Sequence, residues 1–101
     1  MFSDGPRTLE VTVNGHVHTT GEDVAVGAVI TLSADSNPDS SKYTWNNTIS
    51  NEIIERGVSM TVTAEMLGNQ SLIAEVCNII PIPSPYTVCN DILVNVIVIG
   101  K

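Results

Sequence analysis

Apolar side chains recur at every second position along this chain, and turn-forming residues separate the stretches that carry them. Leu9, Val11 and Val13 alternate with Glu10 and Thr12, and Ile30, Leu32 and Ala34 alternate with Thr31 and Ser33. The same rhythm returns in Val58, Met60 and Val62, in Leu72, Ala74 and Val76, and in Ile92, Val94, Val96 and Val98. A period of two places alternate side chains on one face of a strand, so each stretch predicts a strand with one buried face. Half-buried strands need a second layer to cover them, and two stacked sheets are the economical solution for a chain of 101 residues. Such a chain fits one domain, burying about 65% of its unfolded surface. Residues 1–7 are expected to form a flexible N-terminal segment.

The breaks between the strands are equally specific. Asn14-Gly15 signals a tight hairpin into His16-Val17-His18-Thr19, and a second turn is expected at Gly21-Glu22-Asp23. Asp35 to Ser41 is dense in turn formers and reads as a loop, after which Lys42-Tyr43-Thr44-Trp45-Asn46 resumes the strand pattern. Ile53 and Ile54 suggest a short middle strand, and Ala64 to Gly68 a single helical turn. Ile80-Pro-Ile-Pro-Ser-Pro-Tyr86 holds three prolines, which predicts a stiff loop without regular pairing. The last strand is expected over Asn90 to Ile99. Its second face carries Leu93, Ile97 and Ile99, apolar enough to imply a covering segment or an interface.

Four basic residues against eleven acidic ones give a net charge of -7, which repels phosphate backbones and argues against nucleic acid as a partner. An anionic membrane surface is disfavoured for the same reason, and no apolar run is long enough for direct membrane insertion. The negative charge would draw in Ca²⁺ or a basic protein patch, or simply keep the domain soluble. Asp35, Asn37 and Asp39 offer oxygen ligands at alternate positions. An EF-hand would need Gly and Glu where Ser40 and Asn46 stand, so Ca²⁺ is not expected. His16 and His18 share a strand face and could chelate a metal, yet exposed polar surface explains them as well. No nucleophile, zinc, P-loop or paired-carboxylate motif occurs, so neither an enzyme nor a cofactor is expected.

The alternation turns Cys77 and Cys89 away from the core on neighbouring antiparallel strands, where they can form a cross-strand disulfide at the mouth of the proline-rich loop. Two free thiols in a reducing compartment are the alternative. Asn46-Asn47-Thr48 and Asn69-Gln70-Ser71 both fit the N-glycosylation sequon, which would favour a secreted protein.

Gly27 to Ala34, Tyr43-Thr44-Trp45 and Gly68 to Asn78 have the rhythm of the B, C and F strands of an immunoglobulin domain, with Trp45 eleven residues after Ala34. From about Val26 to Ile99 the chain resembles the immunoglobulin superfamily. It departs from the pattern where Ala34 and Ala74 replace the two core cysteines and Leu72 replaces the corner tyrosine. The resemblance implies an all-β, immunoglobulin-like antiparallel β-sandwich with Greek-key connections and seven to nine strands, its core built on Trp45, Leu32, Leu72, Ala34 and Ala74.

Missing core cysteines together with a second bridge near the F-G loop look like the membrane-distal domains of invertebrate allorecognition receptors. That likeness implies the extracellular part of a single-pass membrane protein that binds a protein, the same domain on an opposing cell. The contact surface would be the C, F and G face, with Tyr86, Ile82, Asn47, Ile49, Ile73, Glu75 and Ile97 as candidates and a glycan on Asn46 beside them. Ser36-Asn-Pro-Asp39 before Tyr43-Thr-Trp45 also resembles PKD modules of surface adhesins, although Asn46-Asn47-Thr48 replaces their acidic turn. That second likeness implies a passive spacer.

Overall fold

The computed structural model describes residues 8–35, 41–80 and 85–100. The segment at 1–7 and Asn37, Asp39, Ser40 and Ile82 lie outside them. Among the described residues, nine strands form two stacked sheets, so the fold is an all-β sandwich.

The four-stranded sheet runs in the order β2 (His16–Val17), β1 (Leu9–Val13), β4 (Val29–Ala34) and β7 (Ser59–Thr61). The five-stranded sheet runs β3 (Glu22–Ala25), β9 (Tyr86–Ile99), β8 (Gly68–Ile80), β5 (Ser41–Asn47) and β6 (Ile53–Arg56). The Asn14-Gly15 hairpin forms as predicted, since both residues take the left-handed conformation (φ 49° and 90°) that a two-residue turn between twisted strands requires. The expected helical turn is a 3₁₀ turn over Ala64–Met66.

Three expectations need correction. The turn after the first hairpin closes at Gly21, and Glu22 and Asp23 already belong to β3. With φ of 79°, Gly21 redirects the chain, and its N–H donates to the Asn95 carbonyl at 2.7 Å, docking β3 beside β9. That pairing is parallel (Glu22 with Val96 through Ala25 with Ile99), so the larger sheet is mixed and not wholly antiparallel. The last strand starts at Tyr86, four residues earlier than predicted, and the β8–β9 ladder reaches Ile80 opposite Tyr86. No residue from 86 to 89 is proline, so each keeps the N–H that a ladder needs.

Between the sheets lies an apolar core in which no described polar residue is buried. Ile30, Trp45, Leu72, Ala74, Val76, Val94 and Val96 are wholly excluded from solvent. Trp45 pairs in register with Ala74, whose small side chain leaves room for the indole. The Trp45 Nε1–H donates to the Gly57 carbonyl at 2.9 Å, giving its one polar atom a partner. Leu32 is buried, whereas Ala34 sits half-buried at the rim beside Leu9. The sandwich therefore closes on Trp45 without a bridge between the sheets.

Candidate functional site

Tyr43 and Trp45 point inward from β5, so Lys42, Thr44 and Asn46 point outward, and the ladders carry that assignment across the larger sheet. Arg56, Thr44, Glu75 and Asp91 occupy one cross-strand row, from β6 to β9. The adjacent row on one side holds Lys42, Cys77 and Cys89, and the adjacent row on the other holds Ile53, Asn46, Ile73 and Leu93. Further along lie Asn69, Ile97 and Asp23.

Among the described residues, no other layer covers this outer face. Leu93 is 57% exposed and Ile97 39%, with Ile99 exposed on the same strand and Ile53 and Ile54 exposed on the far edge strand β6. A solvent-facing side of a sheet ordinarily alternates to polar residues, so these exposed apolar positions set the face apart as a candidate contact surface. The charges on it are sorted by strand. Lys42 and Arg56, the only Lys or Arg among the described residues, stand on β5 and β6, while Glu75, Asp91 and Asp23 stand on β8, β9 and β3. Lys42 and Arg56 also line one shallow depression with Tyr43, Thr44, Gly57 and Val58.

Among the predicted contact residues, Ile73, Glu75 and Ile97 share this face. Tyr86 and Asn47 do not. Tyr86 stands opposite Ile80 near the tip of the long hairpin and alternates with Thr87, so it faces away from Leu93 and Ile97. Asn47 pairs with the inward-pointing Leu72, and its Oδ1 accepts the Ile49 and Ser50 amides at 2.8 and 3.0 Å, which fixes the turn after β5. Ile49, 86% exposed, caps that turn at the opposite end of the sheet from Tyr86. Sequence reasoning flagged Leu93 only as part of an apolar face and missed Asp91, Lys42 and Arg56 as site residues. The alternation already placed Leu93 on the outer side, but the row joining Arg56 to Asp91 depends on pairing register.

Cys77 and Cys89 stand directly opposite one another and form the expected disulfide across the outer face. Glu75 lies close enough to both sulfurs to suggest a metal cluster among the described residues, but sulfurs joined in a disulfide carry no thiolate to ligate an ion. Both sequon asparagines also lie on this face, with Asn46 in register with Ile73 and Asn69 with Ile97. Asn46 is therefore part of the surface and not merely beside it.

A second polar cluster sits where β2 meets β3. The Glu22 carboxylate lies 3.0 Å from His16 Nε2 through Oε2 and 3.0 Å from His18 Nδ1 through Oε1, and it accepts the Thr19 amide at 2.6 Å. Burial opposes the charge on Glu22, but the Thr19 N–H and the two imidazoles outweigh it and hold the carboxyl below the ordinary glutamate range. The His16–His18 pair is thus engaged by a carboxylate of its own chain.

Compared with protein families, with characterised proteins and with solved structures, the chain matches none.

Proposed function

We propose that this chain is an immunoglobulin-like recognition domain from the extracellular part of a cell-surface receptor. It binds protein through the outer face of the five-stranded sheet, and its partner is a second copy of itself. The observation that carries this reading is the set of exposed apolar side chains Leu93, Ile97 and Ile99, interrupted by Asn95, on a face that also presents both signs of charge. A surface with one sign of charge would repel its own copy, whereas one bearing Lys42 and Arg56 beside Glu75 and Asp91 can match itself. The Cys77–Cys89 disulfide and the two sequons support an oxidising, secretory setting.

The test is capture of the soluble domain by the same domain fixed to a sensor surface. Wild type is expected to bind in a saturable way, as is Thr12→Arg, which alters the other sheet. Ile97→Arg is expected to lose binding. Equal binding by Ile97→Arg, or none by wild type, would contradict the reading. A spacer is the alternative, favoured by a molecule 50 Å long and 27 by 20 Å in section. Its signature would be a domain that stays monomeric at any concentration.

A further inference from the structure

We infer that two copies associate face to face about a two-fold axis parallel to the strands, passing between β5 and β8, so that Arg56 of each copy meets Asp91 of the other. This inference rests on the self-recognition reading and specifies its geometry. The sorting of charge by strand decides it. An axis across the strands would lay each strand over its own copy, placing the cationic β5 and β6 on β5 and β6 and the acidic β8 and β9 on β8 and β9. Arg56 would then meet no carboxylate of the outer face, since Glu55 of β6 stands in register with the inward-pointing Trp45.

An axis along the strands exchanges the columns. Because Arg56, Thr44, Glu75 and Asp91 share one row, the exchange sets Arg56 over Asp91 and Thr44 over Glu75 in a single step, and by symmetry repeats both contacts. The same operation moves Leu93 and Ile97 of β9, which Asn95 separates on the outward side, onto the edge at β6. Leu93 then falls on Ile53 and Ile54, and Ile97 falls toward the exposed Ile49 in the turn after β5. Apolar surface and opposite charges are thus matched by one rotation, as an isologous interface requires.

The face spans about 19 Å across five strands and about 27 Å along them, the footprint of a small, weak interface. Strands in the two copies run in the same direction, so the Ile99 ends lie together. That arrangement suits neighbours standing side by side on one surface, in contrast to the opposing-cell contact expected from the allorecognition likeness.

Charge reversal in mixtures tests the geometry, using the oxidised, glycan-free protein and native mass spectrometry at matched concentrations. Arg56→Glu alone and Asp91→Arg alone are each expected to weaken self-association at least about tenfold, since each sets like charges together twice. Mixed in equal amounts, the two variants are expected to form the heterodimer with an affinity within a few fold of wild type. Thermal melts of each variant matching wild type exclude misfolding. If the mixture fails to rescue while Leu93→Arg abolishes wild-type self-association, the two-fold arrangement is wrong and the face reading stands. If wild type does not self-associate, or Leu93→Arg leaves association unchanged, the face reading falls with it.

Discussion

At the scale of single residues, the molecule depends on Trp45 and is tuned by Glu22. Trp45 is fully buried, pairs with Ala74 and bonds the Gly57 carbonyl, and no bridge joins the two sheets around it. Trp45→Ala is expected to cost about 3–5 kcal/mol, a large part of the roughly 5–15 kcal/mol that holds a domain of this size. Loss of the cooperative thermal melt would report it. Trp45→Phe keeps most of the apolar volume but strips the Gly57 carbonyl of its donor, a cost of about 1–3 kcal/mol if that oxygen stays buried. Glu22 makes stability depend on pH. Its folded-state pKa lies below the unfolded value, so the stabilisation is complete above the ordinary glutamate range near pH 4.3 and disappears as the pH falls through the lower folded value. Melting wild type and Glu22→Gln from pH 7 to pH 3 should show the wild-type advantage shrinking over the acid end. A gap that widens on acidification would contradict this sign. Trp45 was legible in the sequence, since a lone Trp in an alternating strand has few places to go. Glu22 was not, because the contact needs Gly21 to swing β3 back past the β1–β2 hairpin.

Among the elements, the long β8–β9 hairpin is the most distinctive. Among the described residues, β5 pairs with β8 as far as Asn78, and the two long strands continue beyond it to Ile80 and Tyr86. Cys77–Cys89 ties them at the base of this extension. A disulfide closing so short a loop contributes about 3 kcal/mol by the chain-entropy estimate. Replacing both cysteines by serine is expected to lower the melting temperature while leaving the transition cooperative. Faster amide exchange should be confined to residues beyond Cys77 and before Cys89 on the hairpin. Exchange rising equally in β1 and β4 would mean that the bridge supports the whole sandwich. Gly15→Ala is a local control on the first hairpin. Its φ of 90° admits a Cβ only with strain, so a loss of about 1 kcal/mol, or about 5 °C in melting temperature, is expected. Strand existence was readable here because apolar alternation and Asn-Gly turns are local signals. The parallel β3 and the early start of β9 were not, since one depends on a distant docking contact and the other on a ladder that forms despite neighbouring prolines.

For the molecule as a whole, the outer face of the five-stranded sheet carries the proposed function, and its chemistry also makes it sensitive to modification. Asn46 stands in register with Ile73 near the middle of that face, and Asn69 with Ile97. A glycan on Asn46 is therefore expected to abolish self-binding, and enzymatic removal of the glycan to restore it. Binding unaffected by occupancy at Asn46 would place the contact elsewhere. The apolar half of this surface was visible in the sequence as Leu93, Ile97 and Ile99, whereas its sorted charges emerged only once register had aligned four strands. The most direct measurement is sedimentation equilibrium of the oxidised, glycan-free protein over a wide concentration range, for wild type and Leu93→Arg. Wild type should rise from the mass of one chain toward that of two, while the variant, melting as wild type does, should stay at one. A wild type that remains a single chain throughout, or a variant that dimerises equally well, would contradict a recognition role for this face.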